Sequence, residues 1–238
     1  MTSEPRTVVH ASQDELAVQT AARLAGVLSV AQAARGTASV VLTGGRTGGA
    51  VLAALRDATL DWSTIDVYWG DERFLPAGDP ERNETLARRE LLDHVPVSPE
   101  RVHPMAPSDG EFGDNPDAAA EAYAVLLRDV PSFDVCLLGV GEEGHTASVF
   151  PHSPAVRESA RTVVAVRDCP KPPPTRVSLT LPAIRRSEHV WLMTAGAGKA
   201  EAVAAALAGA DEVDLPAAGA RGRQETLWLV DRAAAGES

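Results

Sequence analysis

Short apolar runs alternate with longer segments in which apolar residues recur at helical spacing. The short runs predict buried strands, and the longer segments predict amphipathic helices. The first helix is expected to begin at Ser12, where Ser12 and Glu15 form an S-x-x-E capping box, and to end near Gly36. The predicted strands of the main series are TVVH, ASVVLT, IDVYWG, FDVCLLG, HVWLMTA and TLWLV. The further helices follow GGRTGG, surround ETLARRELLDHV, cover about 117–129 and include GKAEAVAAALAG.

Strands that alternate with helices indicate an α/β fold with a mostly parallel sheet covered on both faces. We expect one α/β domain over residues 1–238, with a frayed tail at about 232–238. RTVVAV and RVSLTL are expected to be extended, and Pro182 suits the first turn of a short helix. DCPKPPPT predicts a rigid exposed turn. Ligands of such sheets bind beyond the carboxyl ends of the strands.

Composition narrows the classes of partner. The 238 residues are 45% hydrophobic, and the net charge of -11 argues against nucleic acid and anionic membranes as partners. The two cysteines form no disulfide framework, which suits a reducing compartment. No secretory signal is recognised, and no apolar run approaches the ~20 residues of a membrane span. A cytoplasmic location is therefore expected.

The segment LLGVGEEGHTASVFP, residues 137–151, carries the strongest chemical signal. A strand ends in a glycine turn, two carboxylates follow, and then comes His145 ahead of residues expected to open a helix that Ser148 would support. Histidine is the usual acid–base catalyst near neutral pH. GVGEEG matches the dinucleotide fingerprint literally, but Glu142 and Glu143 would repel a pyrophosphate. His145 is therefore the candidate catalytic residue.

Three other segments place candidate anion-binding groups after strands. TGGRTGG offers the backbone of Gly44 and Gly45 at a helix start, together with Arg46. WGDERF offers Arg73, and AGAGKA places Lys199 at a strand-to-helix junction without completing a P-loop. No H-E-x-x-H, C-x-x-C or G-x-S-x-G pattern occurs, so neither a metal site nor an α/β-hydrolase serine is predicted.

Taken together, five motifs resemble the 6-phosphogluconolactonase family of the glucosamine-6-phosphate isomerase superfamily. They are LTGGRTGG, WGDERFLPAGDPERN, LLGVGEEGHTASVFP, RVSLTLPAI and GAGKAEAV, in the family's order across residues 42–203. The resemblance implies a Rossmann-like three-layer fold similar to that of the deaminases. It also implies hydrolysis of 6-phospho-D-glucono-1,5-lactone. A lactone carbonyl is already electrophilic, so no cofactor is expected, and we expect a monomer or small homo-oligomer.

The resemblance further implies roles for individual residues. His145 would act as general base and Glu143 would orient it. The substrate and its phosphate would be held by Gly44, Gly45, Arg46, Asp71, Arg73, Thr146, Arg176 and Lys199.

The chain departs from the family pattern at two positions. GGRTGG stands where the family usually has GGSTP, and Glu143 stands where Asp is common. Two alternatives stay open at this stage. One is a sugar-phosphate deaminase or isomerase of the related fold, against which DERF and HTASVFP argue. The other is a sugar-phosphate sensor without turnover.

Overall fold

A six-stranded parallel sheet forms the centre of the fold. The computed structural model describes residues 2–237. The strands lie in the order β1-β9-β8-β5-β2-β3, and every neighbouring pair is parallel. The fold-class prediction is confirmed. The strands are β1 (Pro5–His10), β2 (Ala38–Leu42), β3 (Ile65–Trp69), β5 (Val135–Gly139), β8 (His189–Thr194) and β9 (Glu225–Asp231).

Helices cover both faces of this sheet, as the chain pattern predicts. Helix α1 begins after Ser12, whose hydroxyl accepts the N–H of Glu15, and it ends before Gly36 in the left-handed region. Helices α1 and α2 pack on one face, and α4 and α6 pack on the other. The helices are α1 (Gln13–Arg35), α2 (Gly45–Ala54), α3 (Asn83–Glu90), α4 (Pro116–Leu126), α5 (Leu181–Ile184), α6 (Ala200–Leu207) and α7 (Pro216–Gly219).

Alternating side chains of the central strands enter two separate cores. In β2, Val40 and Leu42 pack beneath α1 and α2, whereas Val41 points to the opposite core. In β5, Leu137 lies in the core beneath α1 and α2, whereas Leu138 lies in the opposite core. Because both faces are covered, these strands read as continuous apolar runs rather than alternating ones.

A second, antiparallel sheet of three strands lies over the carboxyl end of the main sheet. Strand β7 (Arg176–Leu179) pairs with both β4 (Asp71–Arg73) and β6 (Val163–Val166). The sequence indicated β6 and β7 as extended, but it gave no sign of a separate sheet. The short strand β4 was expected only as the segment that follows β3.

One local prediction was wrong. No helix follows His145: Thr146 bridges back to both Val140 and Val149, and Ala147 has φ 47°, so the chain reverses in tight turns. The C-terminal segment, for which a frayed tail is expected, makes defined contacts as far as residue 237. Ala234 is fully buried and its N–H donates to Asp231, while the N–H of Arg232 donates to His10 O. Ser238 lies outside the described residues.

Between β4 and α3 the chain is fixed by a buried ion pair. Arg82 is 0% exposed and its Nη2 lies 3.7 Å from a carboxylate oxygen of Glu72. Arg82 also donates to the carbonyl oxygens of Leu75 and Met105. Glu72 accepts the backbone N–H groups of Arg73, Asn83 and Glu84 at 2.7–2.8 Å. This pair therefore sets the path of the loop that joins β4 to α3.

Among residues 2–237 we find no helix with the length and apolar character needed to cross a bilayer.

The buried pair predicts a large loss of stability in Arg82→Met. Removing one partner leaves the other charge buried without compensation, which costs about 3–5 kcal/mol. Urea unfolding should show this loss. Arg128→Met is the matched control, because Arg128 is exposed and its surface pair with Glu121 is worth at most about 1 kcal/mol. Equal, small effects of the two substitutions would contradict a structural role for the buried pair.

Candidate active site

Four adjacent strands of the main sheet deliver their carboxyl-terminal loops to one cavity of about 200 Å³. These are β8, β5, β2 and β3. From β2 the chain continues to β3 on one side of β2, whereas β5 lies on its other side and is followed outward by β8 and β9. The direction of strand addition therefore reverses between β2 and β5, and the cavity lies at this topological switch point. The second sheet supplies its remaining side. The lining residues are Thr43, Gly44, Gly45, Asp71, Arg73, Asn83, Gly139, Val140, Gly141, His145, Ala147, Lys171, Arg176 and Lys199.

His145 is held in the turn that follows β5. Its Nδ1 lies 2.9 Å from Oε1 of Glu143, and its ring stacks on Phe150 with centroids 4.5 Å apart. Gly141 allows this arrangement, because a Cβ at that position would lie 2.0 Å from Nδ1 of His145. The N–H of Gly141 also donates to the carbonyl of His145, which closes the turn. The imidazole is therefore fixed on three sides.

The protonation states of this pair follow from their surroundings. Burial lowers the pKa of His145 below its ordinary value, although the adjacent Glu143 opposes the shift. Partial burial alone would raise the pKa of Glu143, but hydrogen bonds, chiefly from Lys171, lower that pKa to about 2. An ionised Glu143 can only accept, so the shared proton resides on Nδ1 of His145. That tautomer leaves a lone pair on Nε2, which has no hydrogen-bond partner within residues 2–237.

Four cationic side chains line the same cavity: Arg73, Lys171, Arg176 and Lys199. One of these was not predicted from the sequence, namely Lys171 in the proline turn. Partial burial and the neighbouring Lys171 lower the pKa of Lys199. Asp71 is the only acidic residue among the lining groups that the structure describes. The cavity is therefore suited to an anion despite the acidic composition of the whole chain.

Backbone groups of the turn after β2 form one wall. Gly44 precedes α2, Gly45 begins it, and both line the cavity, so the N–H groups of the first helical turn lie beside it. Asn83 packs directly against this turn, since a Cβ on Gly44 would lie 1.9 Å from Oδ1 of Asn83. Asn83 was missed by sequence analysis because nothing around it distinguishes it from an ordinary residue at a helix start.

Asp71 connects β4 to the turn that carries His145 and to the start of α3. Its Oδ2 accepts the hydroxyl of Ser148 at 2.6 Å, and its main-chain and side-chain oxygens accept from Nδ2 of Asn83. Arg176 approaches Asp71 to 3.9 Å. Ser148 thus supports Asp71 rather than a helix start.

Two predicted binding residues lie away from the cavity lining. Arg46 is exposed on the first turn of α2 and borders a neighbouring groove with Arg89 and Glu90. Thr146 is fully buried, and its hydroxyl donates to Gly139 O at 2.9 Å. Thr146 therefore holds the turn that carries His145. Within residues 2–237 no group of three or more His, Cys, Asp or Glu side chains is arranged to hold a metal ion.

The sequence was compared with families and individual proteins of known activity. Residues 11–228 match the family model described as glucosamine-6-phosphate isomerases/6-phosphogluconolactonase. The chain belongs to this family. A 6-phosphogluconolactonase of Streptomyces coelicolor is 57% identical, with 100% of this chain and 96% of that protein covered. One from Mycobacterium tuberculosis is 56% identical over 93% of this chain and 94% of that protein.

Solved structures of the family share the fold. A 6-phosphogluconolactonase from Trypanosoma brucei has a TM-score of 0.86 at 28% identity and covers 99% of both chains. A monomeric glucosamine-6-phosphate deaminase has a TM-score of 0.80 at 21% identity, over 99% of this chain and 100% of that one, which is a likeness of fold alone. The family resemblance drawn from five sequence motifs is confirmed.

The geometry predicts the titration of His145. We expect nitrogen NMR of the imidazole to show the Nδ1–H tautomer at neutral pH and a midpoint below the ordinary value of 6.5. Burial disfavours the charged form of His145. The ring therefore becomes protonated, and stops acting as a base, only when the pH falls below this lowered midpoint. A midpoint above 7, or an Nε2–H tautomer, would contradict the assignment.

Proposed function

We propose that the protein hydrolyses 6-phospho-D-glucono-1,5-lactone to 6-phospho-D-gluconate, the reaction of the oxidative pentose phosphate pathway. One observation carries the proposal: a neutral imidazole with an unpartnered Nε2 lines the same small cavity as four cations. Hydrolysis of a phosphorylated ester needs a base that activates water and positive charges that bind the phosphate. The relatives at 56–57% identity support the choice of substrate, since they are 6-phosphogluconolactonases.

His145 acts as the general base in this proposal. Its Nε2 takes a proton from water as the water oxygen forms a bond to the lactone carbonyl carbon. The bond between that carbon and the ring oxygen then breaks, and the imidazolium returns the proton to the departing oxygen, which becomes a hydroxyl. The new carboxylic acid loses its proton to solvent. Glu143 holds Nδ1–H throughout and stabilises the transient imidazolium.

Arg73, Lys199 and the turn at Gly44 and Gly45 hold the phosphate. Arg73 and Lys199 provide charge at the loops after β3 and β8, and the start of α2 provides backbone N–H groups. Arg176 attracts the phosphate mainly through its positive charge and not through hydrogen bonds, because its Nε and Nη2 already donate to carbonyls of the proline turn. Binding at a distance from the reacting carbon fixes that carbon near His145.

We also propose a cytoplasmic location. Cys136 and Cys169 are both free and buried, which is compatible with a reducing compartment.

A coupled assay tests the function. The lactone is generated by glucose-6-phosphate dehydrogenase, and its decay is followed with spontaneous opening subtracted. The wild-type protein should accelerate decay, and His145→Ala should lower kcat/KM by about 10²–10⁴. His94→Ala is the matched control, because His94 is exposed and its ring hydrogen-bonds to the carbonyl oxygen of Arg89, outside the cavity lining. Full activity of His145→Ala would contradict the base. Ammonia release from glucosamine 6-phosphate without lactone hydrolysis would favour the deaminase instead.

Phosphate binding is tested separately with Lys199→Ala. The substitution removes a cation from the cavity wall but leaves the His145–Glu143 contact in place. We expect KM to rise by about tenfold or more, as for loss of one charge-assisted contact, with a smaller fall in kcat. Steady-state kinetics with the 6-phosphorylated lactone give both values. An unchanged KM would place the phosphate elsewhere.

A further inference from the structure

Lys171 is presented to the cavity by a turn that has its own anchor. The turn comprises residues 170–174, of which all but Lys171 are proline. Arg176, only 5% exposed, donates to the carbonyl oxygens of Lys171, Pro172 and Pro173 at 3.1–3.2 Å. Because proline restricts the backbone and Arg176 fixes three carbonyls, the position of the Lys171 backbone is well defined.

The ammonium group of Lys171 completes a chain of contacts that ends at the catalytic ring. Its Nζ donates to Oε2 of Glu143 at 2.8 Å, while Oε1 of the same carboxylate accepts from Nδ1 of His145 at 2.9 Å. The two oxygens of Glu143 are thus committed to two different partners. A carboxylate held at both oxygens has one orientation, and that orientation fixes the plane of the imidazole.

We propose that Lys171 is a positioning residue that acts on His145 through Glu143, rather than a ligand of the phosphate. The proposal rests on the proposed lactone hydrolysis. Glu143 and Lys171 are both partly exposed, at 36% and 44% of their side chains, and a pair this exposed adds little to folding stability. Its effect should therefore appear in the chemistry and not in the melting temperature.

Other charges also face His145 and must be held constant in a test. Asp71 lies on the floor of the cavity, and Arg73, Arg176 and Lys199 line its walls. Among the described residues, Lys171 is the one charged residue of the cavity lining whose side chain, apart from His145, hydrogen-bonds to Glu143. Removing Lys171 therefore frees one oxygen of Glu143 and leaves the remaining wall charges in place.

Lys171→Met is the informative variant, because it keeps an unbranched stem and loses the ammonium. We expect kcat to fall by about tenfold, with KM changed by less than about threefold. NMR of the ligand-free protein should show the His145 midpoint moved upward by about half a pH unit, since a nearby positive charge is gone. Lys171→Arg should restore most of kcat. Arg167→Met is the charge-matched control, since exposed Arg167 pairs with Asp117 on the surface.

A double-mutant cycle tests whether Lys171 acts through Glu143. In a Glu143→Gln background, Lys171→Met should cause no further fall in kcat, because its partner carboxylate is already absent. Additive losses, or a raised KM with an unchanged kcat and an unmoved His145 midpoint, would overturn the proposal and make Lys171 a substrate ligand. The NMR measurement uses no substrate, so it stands even if the lactone is not hydrolysed. Failure of the wild-type protein in the lactone assay would refute the proposed function instead.

Discussion

The contact between Gly141 and His145 is the constraint on which the site depends. The imidazole lies where a side chain at position 141 would have to be, since a Cβ there would approach Nδ1 to 2.0 Å. Lacking that atom, the turn after β5 can fold back on itself and press the ring between its own backbone and Phe150. The same turn brings Glu143 to Nδ1. Orientation, tautomer and a neutral charge state all follow from this close packing.

Both sheets contribute residues to the cavity, from opposite sides. The parallel sheet brings loop ends together, so that the turn at Gly44, the His145 turn and Lys199 meet beyond neighbouring strands. The small antiparallel sheet adds Arg73 and Arg176 from the other side. Asp71 of the small sheet is bonded to Ser148, in the turn that carries His145, and to Asn83 at the start of α3. A cluster of cations can persist in a chain of net charge -11 because the acids are placed elsewhere or are paired.

Much of this arrangement could be predicted from the sequence, for reasons that are local. The apolar runs gave the six central strands, and the ends of parallel strands must meet at one edge, so His145, Arg73 and Lys199 were expected together. The contributions of Lys171 and Asn83 depend on long-range packing, which leaves no local signal. Ala147 marks another limit: its left-handed backbone reverses the chain where a helix was expected, and only the bridges of Thr146 to Val140 and Val149 explain it. Arg46 matched a phosphate-binding pattern, but its side chain lies on the outer face of α2 and not on the cavity wall.

In the proposed mechanism, one cavity holds the reacting carbon against His145 while cations hold the phosphate at a distance from it. A crystal structure with bound 6-phosphogluconate tests this most directly. We expect the product carboxylate within hydrogen-bond distance of Nε2 of His145, and the phosphate among Arg73, Lys199 and the backbone of Gly44 and Gly45. A phosphate seated on His145, or a product molecule bound outside this cavity, would contradict it.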